Sequence, residues 1–266
     1  MRRLLPKQSK RYKWHWFKEN GRISYQMIEV SVVTPTYNRR TFIPALLQIY
    51  KNQTYPKEKM EWIILDDGRD KVEDLFQNTG IPNLRYLYRD EKMRIGAKRN
   101  LLNQEAKGAI IIAMDDDDYY PADRIQLIVQ QFAKYPRVDL AGASEMNLYY
   151  LDTKKVATIG PYGSNFATNG TMAWRKRYSD THKYDEFVTK AEEGSFLEQY
   201  KHPMIQLDPK KAILVICHTD NTANKQDLRK EHAAYKGRDK AKMRLSSYQL
   251  EDLVKEPDLL AFYRSL

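Results

Sequence analysis

Three observations predict an α/β fold with a mainly parallel central sheet flanked by helices and a smaller mixed portion after it. Strand-like and helix-like segments alternate from about residue 30 to residue 118, as crossover connections between parallel strands require. The run 109–114 is apolar throughout and isoleucine-rich, the signature of a strand covered on both faces, and it ends in four consecutive aspartates, Asp115 to Asp118. From Leu140 onward the apolar segments become shorter and the pattern turns to α+β.

Residues 30–34 read as the first strand, stopped by the turn chemistry of Pro35-Thr36-Tyr37-Asn38. Over 41–53, Phe42, Ala45, Leu46, Ile49 and Tyr50 recur at helical spacing, with Pro44 in the first turn, where a missing N–H costs nothing. A second strand is expected at 61–65, ending in Asp66-Asp67-Gly68, then a short helix at 71–77 and a third strand at 84–88. Helix formers fill 94–107, and Gly108 is placed to stop that helix before the isoleucine run. Pro121 suits the start of the next helix, in which Ile125, Ile128, Val129 and Phe132 fall at i, i+3, i+4 and i+7. Short strands are expected at 147–151, 156–159, 171–174 and 213–217, with helical character at 192–200 and in the charged tail from Lys225.

A chain of 266 residues can bury one large core, and 42% hydrophobic content with 19 tyrosines argues for an aromatic-rich one rather than disorder. Apolar runs reach about six residues, against roughly 20 for a membrane span, and the first seven residues carry charge without a signal-length apolar stretch. Cys217 is the sole cysteine, which excludes an intrachain disulfide and favours a reducing, cytoplasmic setting. The net charge of +10 gathers in residues 1–22 and 225–244. Trp14, Trp16 and Phe17 interleave with Lys13, His15 and Lys18, a pattern suited to docking on the body or to peripheral contact with a membrane. Three parts are therefore expected: a basic aromatic extension over 1–28, a catalytic-type domain over 29–225 that divides near 118, and a basic helical tail over 226–266.

Carboxylates clustered beyond the carboxyl end of a buried strand stand where open α/β sheets bind ligands. They suit a hard cation, Mn²⁺ or Mg²⁺, held by one or two side chains together with substrate phosphates. An acidic turn capping the next helix is the ligand-free alternative.

Taken in order, Pro35-Thr36-Tyr37-Asn38, Asp66-Asp67, Gly96-Ala97-Lys98-Arg99-Asn100 and Asp115-Asp116-Asp117 resemble the motifs of the family 2 glycosyltransferases. That resemblance implies the GT-A, Rossmann-like fold, with a nucleotide-binding half over about 29–118 and an acceptor half over about 119–225. It implies an inverting, metal-dependent transfer of a sugar from a nucleoside-diphosphate sugar, a UDP-sugar foremost, to a hydroxyl acceptor such as a glycan. Tyr37 would stack on the base and Asp67 would accept from its N–H edge, with Thr34 and Pro35 in the same loop. Arg94 or Arg99 would reach the nucleotide or its diphosphate, Asp116 the ribose or the metal shell, and Asp117 the cation.

The resemblance also places the general base in Ala191-Glu192-Glu193-Gly194, at Glu193, where relatives usually carry Asp. His218 follows the strand at 213–217, where some members of this fold place a metal-binding histidine. Asn169-Gly170-Thr171 and Trp174 would line the acceptor side, and Trp174 reads equally well as core. Two other functions remain open from the residues alone. A sugar nucleotidyltransferase would need a glycine-rich phosphate loop where Pro35 to Asn38 stand. A non-catalytic module would bind nucleotide or polyanion, its basic ends contacting nucleic acid or membrane, whereas the transferase reading expects no nucleic-acid partner.

Overall fold

The computed structural model describes residues 28–188, 191–219, 221 and 243–266, together with the backbone of 15–19 and 22–26. The expected docking of Trp14, Trp16 and Phe17 and the charged stretch 225–242 lie outside the described residues. Strands β1 (His15–Glu19) and β2 (Arg22–Gln26) pair antiparallel. Strand β3 (Val30–Thr36) then opens the alternation: α1 (Ile43–Asn52), β4 (Met60–Asp66), α2 (Glu73–Phe76), β5 (Leu84–Tyr88), α3 (Ile95–Glu105), β6 (Ile110–Ala113) and α4 (Arg124–Lys134). The second half adds β7 (Leu140–Gly142), β8 (Met146–Tyr150), β9 (Lys155–Ile159), β10 (Ala173–Arg175), α5 (Lys176–Ser179), α6 (Glu193–Phe196) and β11 (Met204–Gln206). It closes with α7 (Pro209–Ala212), β12 (Leu214–Cys217), β13 (Arg244–Leu245), α8 (Leu250–Leu253) and α9 (Pro257–Ser265).

Among the described residues the central sheet runs β11-β7-β10-β6-β3-β4-β5. Strands β6, β3, β4 and β5 are parallel, and β10 lies antiparallel between β6 and β7. Strand β4 explains the near-continuous apolar runs: Trp62 and Ile64 enter one core cluster, while Ile63 and Leu65 enter the cluster on the other face. On the first face Tyr50 of α1 stacks on Trp62, with centroids 4.3 Å apart and 9° between planes. A smaller sheet, β12-β8-β9-β13, packs beside the first. Among the described residues no helix is long and apolar enough to cross a membrane.

Differences from expectation have local causes. Strands β7 and β11 are three residues each, too short to show a period in sequence. Helical structure at 192–200 shrinks to the four residues of α6, because Glu198, Gln199 and Tyr200 take φ of 47°, 58° and 63°. The strand expected at 171–174 begins at Ala173, after a tight turn over Asn169–Thr171. Residues 250–266, assigned to a tail by their sequence position, instead pack into the main body. Leu250, Leu253, Val254, Leu259 and Tyr263 are buried in the same core cluster as β3 and β4.

Candidate active site

The register sets Thr36 opposite Asp66, so β3 and β4 end level, and Val33 opposite Ala113, so β6 ends three residues earlier and the chain from Met114 to Asp116 continues toward their level. These strand ends open onto a cleft of about 1030 Å³, near the upper end for small-molecule sites. The end of β3 contributes Pro35 and the turn after it Tyr37 and Arg39 to its lining. Asn38 sustains that turn at φ 53°, a conformation asparagine tolerates. Its Oδ1 accepts from the N–H groups of Arg69 (2.8 Å) and Asp70 (3.2 Å), joining the turn to the loop after β4. Gly68 permits the crossing, since a Cβ there would lie 2.7 Å from the Asn38 nitrogen. Thr34 departs from expectation: it is fully buried, accepts from Trp62 Nε1 at 2.9 Å and does not line the cleft.

The two aspartates after β4 do different work. Asp66 accepts from the Gly68 N–H (2.7 Å), the Tyr86 hydroxyl (2.6 Å) and the Val72 N–H (3.3 Å), which shapes the loop. Asp67 lines the cleft, accepts from the Met93 N–H at 2.6 Å and is ion-paired with Lys98. Lys98 also donates to the Thr36 carbonyl at 2.6 Å, and burial holds its pKa below the ordinary lysine value despite the neighbouring Asp67. Tyr37 is half-exposed, and the Lys92 ammonium lies 4.2 Å from its ring centroid.

Helix α3 organises the cleft through consecutive side chains. Gly96 lets the helix abut the 184–186 segment, where a Cβ would fall 2.1 Å from the Asp185 carbonyl oxygen. Asn100 reads the same segment, with Oδ1 accepting from the Tyr184 N–H and Nδ2 donating to the Tyr184 carbonyl, each at 2.9 Å. Arg99 is buried and donates from Nε to Glu192 (2.7 Å) and from a terminal nitrogen to Asp115 (3.1 Å). Those two carboxylates raise its pKa against the opposing effect of burial, so the guanidinium is committed to bridging them. Arg94, at the mouth, is exposed and donates to the Phe187 carbonyl at 3.1 Å. The pair left open by sequence is thereby separated into a buried strut and an exposed rim group.

The four aspartates after β6 also divide their roles. Asp115 receives Arg99, and Asp118 accepts the Ile216 N–H at 2.9 Å, which ties β12 to the cluster. Asp116 is buried, and desolvation first and the Asp117 charge second raise its pKa well above the usual carboxylate value. Asp117 Oδ2 lies 2.9 Å from His218 Nε2 and 3.2 Å from Asn221 Nδ2. Arg39 Nε stands 3.9 Å from Asp116 and 3.7 Å from Asp117. Asp117 and His218, 101 positions apart, are thus adjacent in space. Crowded carboxylates beside an imidazole form a donor set that fits Mn²⁺ or Mg²⁺, because a cation would offset the desolvation of Asp116 and its repulsion by Asp117.

Across the cleft, Ala191 turns the chain at φ 53° immediately before the acid pair. Glu192 lines the cleft and is held by Arg99, whereas Glu193, at 9% exposure, is not among the lining residues. Burial, then the Glu192 charge, lifts the Glu193 pKa to about 7. Asn169 is buried between Tyr184 and Arg99, and the amide orientation that satisfies both has it donating to the Tyr184 hydroxyl and accepting from Arg99, each at 2.6 Å. Trp174 is a core residue, its Nε1 donating to Asn103 at 3.2 Å. Sequence reasoning missed Arg39, Lys92, Lys98, Glu192 and Asn221 as cleft residues. For Arg39 and Lys98 the signal was present, since each lies within or beside a motif already singled out.

The family model for glycosyl transferase family 2 matches residues 31–194. Glycosyltransferase AglE of Haloferax volcanii is 35% identical over 91 residues, which is 33% of this chain and 30% of that protein. A poly(ribitol-phosphate) β-N-acetylglucosaminyltransferase, TarS of Staphylococcus aureus, is 28% identical over 109 residues, 35% of this chain and 17% of the relative. The matched stretches therefore cover well under half of these relatives. In three dimensions, residues 1–349 of TarS in complex with UDP-GlcNAc align with a TM-score of 0.59 at 18% identity, covering 73% of this chain and 60% of that one. A mannosyltransferase from Pyrobaculum calidifontis, in complex with GDP-Man and Mn²⁺, aligns with a TM-score of 0.59 at 15% identity, covering 77% and 61%. At such identities the likeness establishes the GT-A fold.

Proposed function

Because the chain belongs to glycosyl transferase family 2, we propose that it moves a sugar from a nucleoside-diphosphate sugar, a UDP-sugar foremost, to a hydroxyl of a glycan, with inversion at the anomeric carbon. The observation that carries this reading is the meeting of Asp67, Asp116, Asp117 and Glu192 around one cleft at the carboxyl ends of three parallel strands.

In this reading Tyr37 and Pro35 bound the base, and Asp67, fixed by Lys98 and the Met93 N–H, presents its carboxylate to the base edge. Asp116 faces the ribose, and Arg94 at the rim reaches the diphosphate. Arg99 is a positioning residue: by holding Glu192 it sets the turn that carries Glu193. Glu193, which adjoins the cleft-lining Glu192 without lining the cleft itself, is the general base in this reading for an acceptor hydroxyl that enters past Glu192, its pKa of about 7 matching the removal of that proton. Asp117 and His218 would hold Mn²⁺ or Mg²⁺, which when bound supplies Lewis-acid neutralisation of charge on the departing diphosphate. Contact with a membrane, if made, belongs to the basic ends rather than to the cleft.

A thermal-shift panel of UDP, GDP, dTDP and CMP, each with and without Mn²⁺, tests the donor site on the wild type and on Asp117→Ala. One diphosphate is expected to stabilise the wild type only with Mn²⁺, by roughly 2.7 kcal/mol at 100 times its dissociation constant, and Asp117→Ala is expected to lose the effect. Absence of any nucleotide shift would remove the reading, and an equal shift in Asp117→Ala would remove the ligand role of that residue.

A further inference from the structure

Outside the cleft, three metal-ligating side chains converge from two separate segments. His182 follows α5, and Glu198 and His202 follow α6, yet one nitrogen or oxygen of each lies within 4.8 Å of the others. Glu198 Oε2 is 3.0 Å from His202 Nε2, and Glu198 Oε1 is 3.7 Å from His182 Nε2. The other ring nitrogen of His182, Nδ1, lies 3.0 Å from the Tyr178 carbonyl oxygen. The Thr181 hydroxyl lies 2.9 Å from the same nitrogen, so Nδ1 is engaged on the backbone side and Nε2 is the atom turned toward the carboxylate. A histidine whose second nitrogen donates to a backbone carbonyl is the arrangement that orients metal-bound imidazole.

The rings are held in place by packing. Tyr178 stacks on His182 with centroids 3.9 Å apart and 2° between planes, and meets His202 edge-on at 5.4 Å. The two imidazoles are 5.0 Å apart at 84°. Both histidines are half-buried and Glu198 is exposed, which leaves a path for an ion and a place for water.

We infer that His182, Glu198 and His202 form a site for a divalent transition ion, with zinc the best match to two imidazoles, one carboxylate and a water. This ligand type and number suit zinc better than Mg²⁺ or Ca²⁺, which prefer oxygen donors throughout. The ion joins α5 to the segment that follows α6. That link runs parallel to the hydrogen bond from the Tyr178 hydroxyl to the Phe196 carbonyl, 2.8 Å, and so braces the turn bearing Glu192 and Glu193 from behind. The inference stands apart from the donor reading, since it uses no cleft residue.

The test uses the full chain carrying Asp117→Asn, so that the cleft carboxylate does not compete, stripped with chelator and titrated with ZnCl₂ and separately with CoCl₂. Micromolar zinc is expected to raise the melting temperature, and cobalt to give the intense visible bands of a four-coordinate ion. His182→Ala and His202→Ala are each expected to weaken zinc binding by more than the roughly 10–100-fold that loss of a supporting partner costs, and to abolish the cobalt bands. His202→Gln, which keeps a donor for Glu198, serves if an alanine variant folds poorly. No zinc binding, zinc binding unaffected by either histidine change, or an equal shift with magnesium would each overturn the inference.

Discussion

Glu193 holds its proton up to about pH 7 because the fold buries it beside Glu192, an effect that a backbone hydrogen bond and the Arg99 charge offset only in part. The folded pKa lies above the ordinary value of 4.5, so the stability this group contributes is complete below pH 4.5 and is lost as pH rises through 7. Chemical denaturation of Glu193→Gln should therefore find the variant more stable than wild type at pH 8, by up to about 3 kcal/mol, with the difference closing below pH 5. As a base the same group must be ionised, so transfer by the wild type should climb with pH through about 7 and then level, and Glu193→Gln should lose transfer while keeping nucleotide affinity. A variant that loses affinity instead, or a pH limb far from 7, would mark a structural acid. Asp117 with His218 was legible in sequence because each ends a strongly apolar strand, where side chains have few other places to go. Thr34 was misread because its hydroxyl satisfies an indole N–H that sequence does not reveal. Lys98 was passed over because a lysine on a charged helix normally stays solvated, and its partner Asp67 is 31 positions away.

Helix α3 concentrates at element scale what the motif around Gly96 means. A single turn and a half carries the close approach to Asp185, the pair with Asp67, the bridge from Asp115 to Glu192 and the double hydrogen bond to Tyr184. Gly96→Ala keeps the helix, and locally favours it, but drives a methyl against a backbone carbonyl. Urea unfolding should show a net loss of about 1–3 kcal/mol, and transfer should fall more than nucleotide affinity, because the displaced segment leads to Glu193. Unchanged stability would mean that the 184–186 segment gives way freely. The elements with clear apolar patterns, β3, α1, β4, β6 and α4, were legible to within a few residues, and α3 was legible from its helix formers and the Gly108 stop. Strands β7 and β11 were not, since three-residue strands exist only through their neighbours, and α6 was overestimated because left-handed residues after it carry no glycine to announce them.

At the scale of the whole molecule, α9 closes the back of the acid cluster. Tyr263 is buried, meets Tyr119 edge-on with centroids 6.2 Å apart, and donates its hydroxyl to the Asp118 carbonyl at 3.3 Å. Phe262 of the same helix meets Phe42, whose ring lies 4.7 Å from that of His218. Tyr263→Ala should cost about 3–5 kcal/mol, as large aromatic deletions in cores do, and should weaken Mn²⁺-dependent nucleotide binding, which calorimetry can measure. A loss below about 1 kcal/mol would show that α9 covers the body without supporting it. The mainly parallel sheet was legible from alternation alone, but this closure was not, because residues 250–266 follow a long charged stretch and contact β-strand ends more than a hundred positions earlier. That order has a consequence during synthesis. At 5–20 residues per second the aspartates leave the peptidyl-transferase centre roughly 7 to 30 s before Tyr263 is joined to the chain, so a nascent polypeptide carries the acid cluster with its rear wall still missing, and a ribosome stalled in that interval holds a cleft not yet able to close.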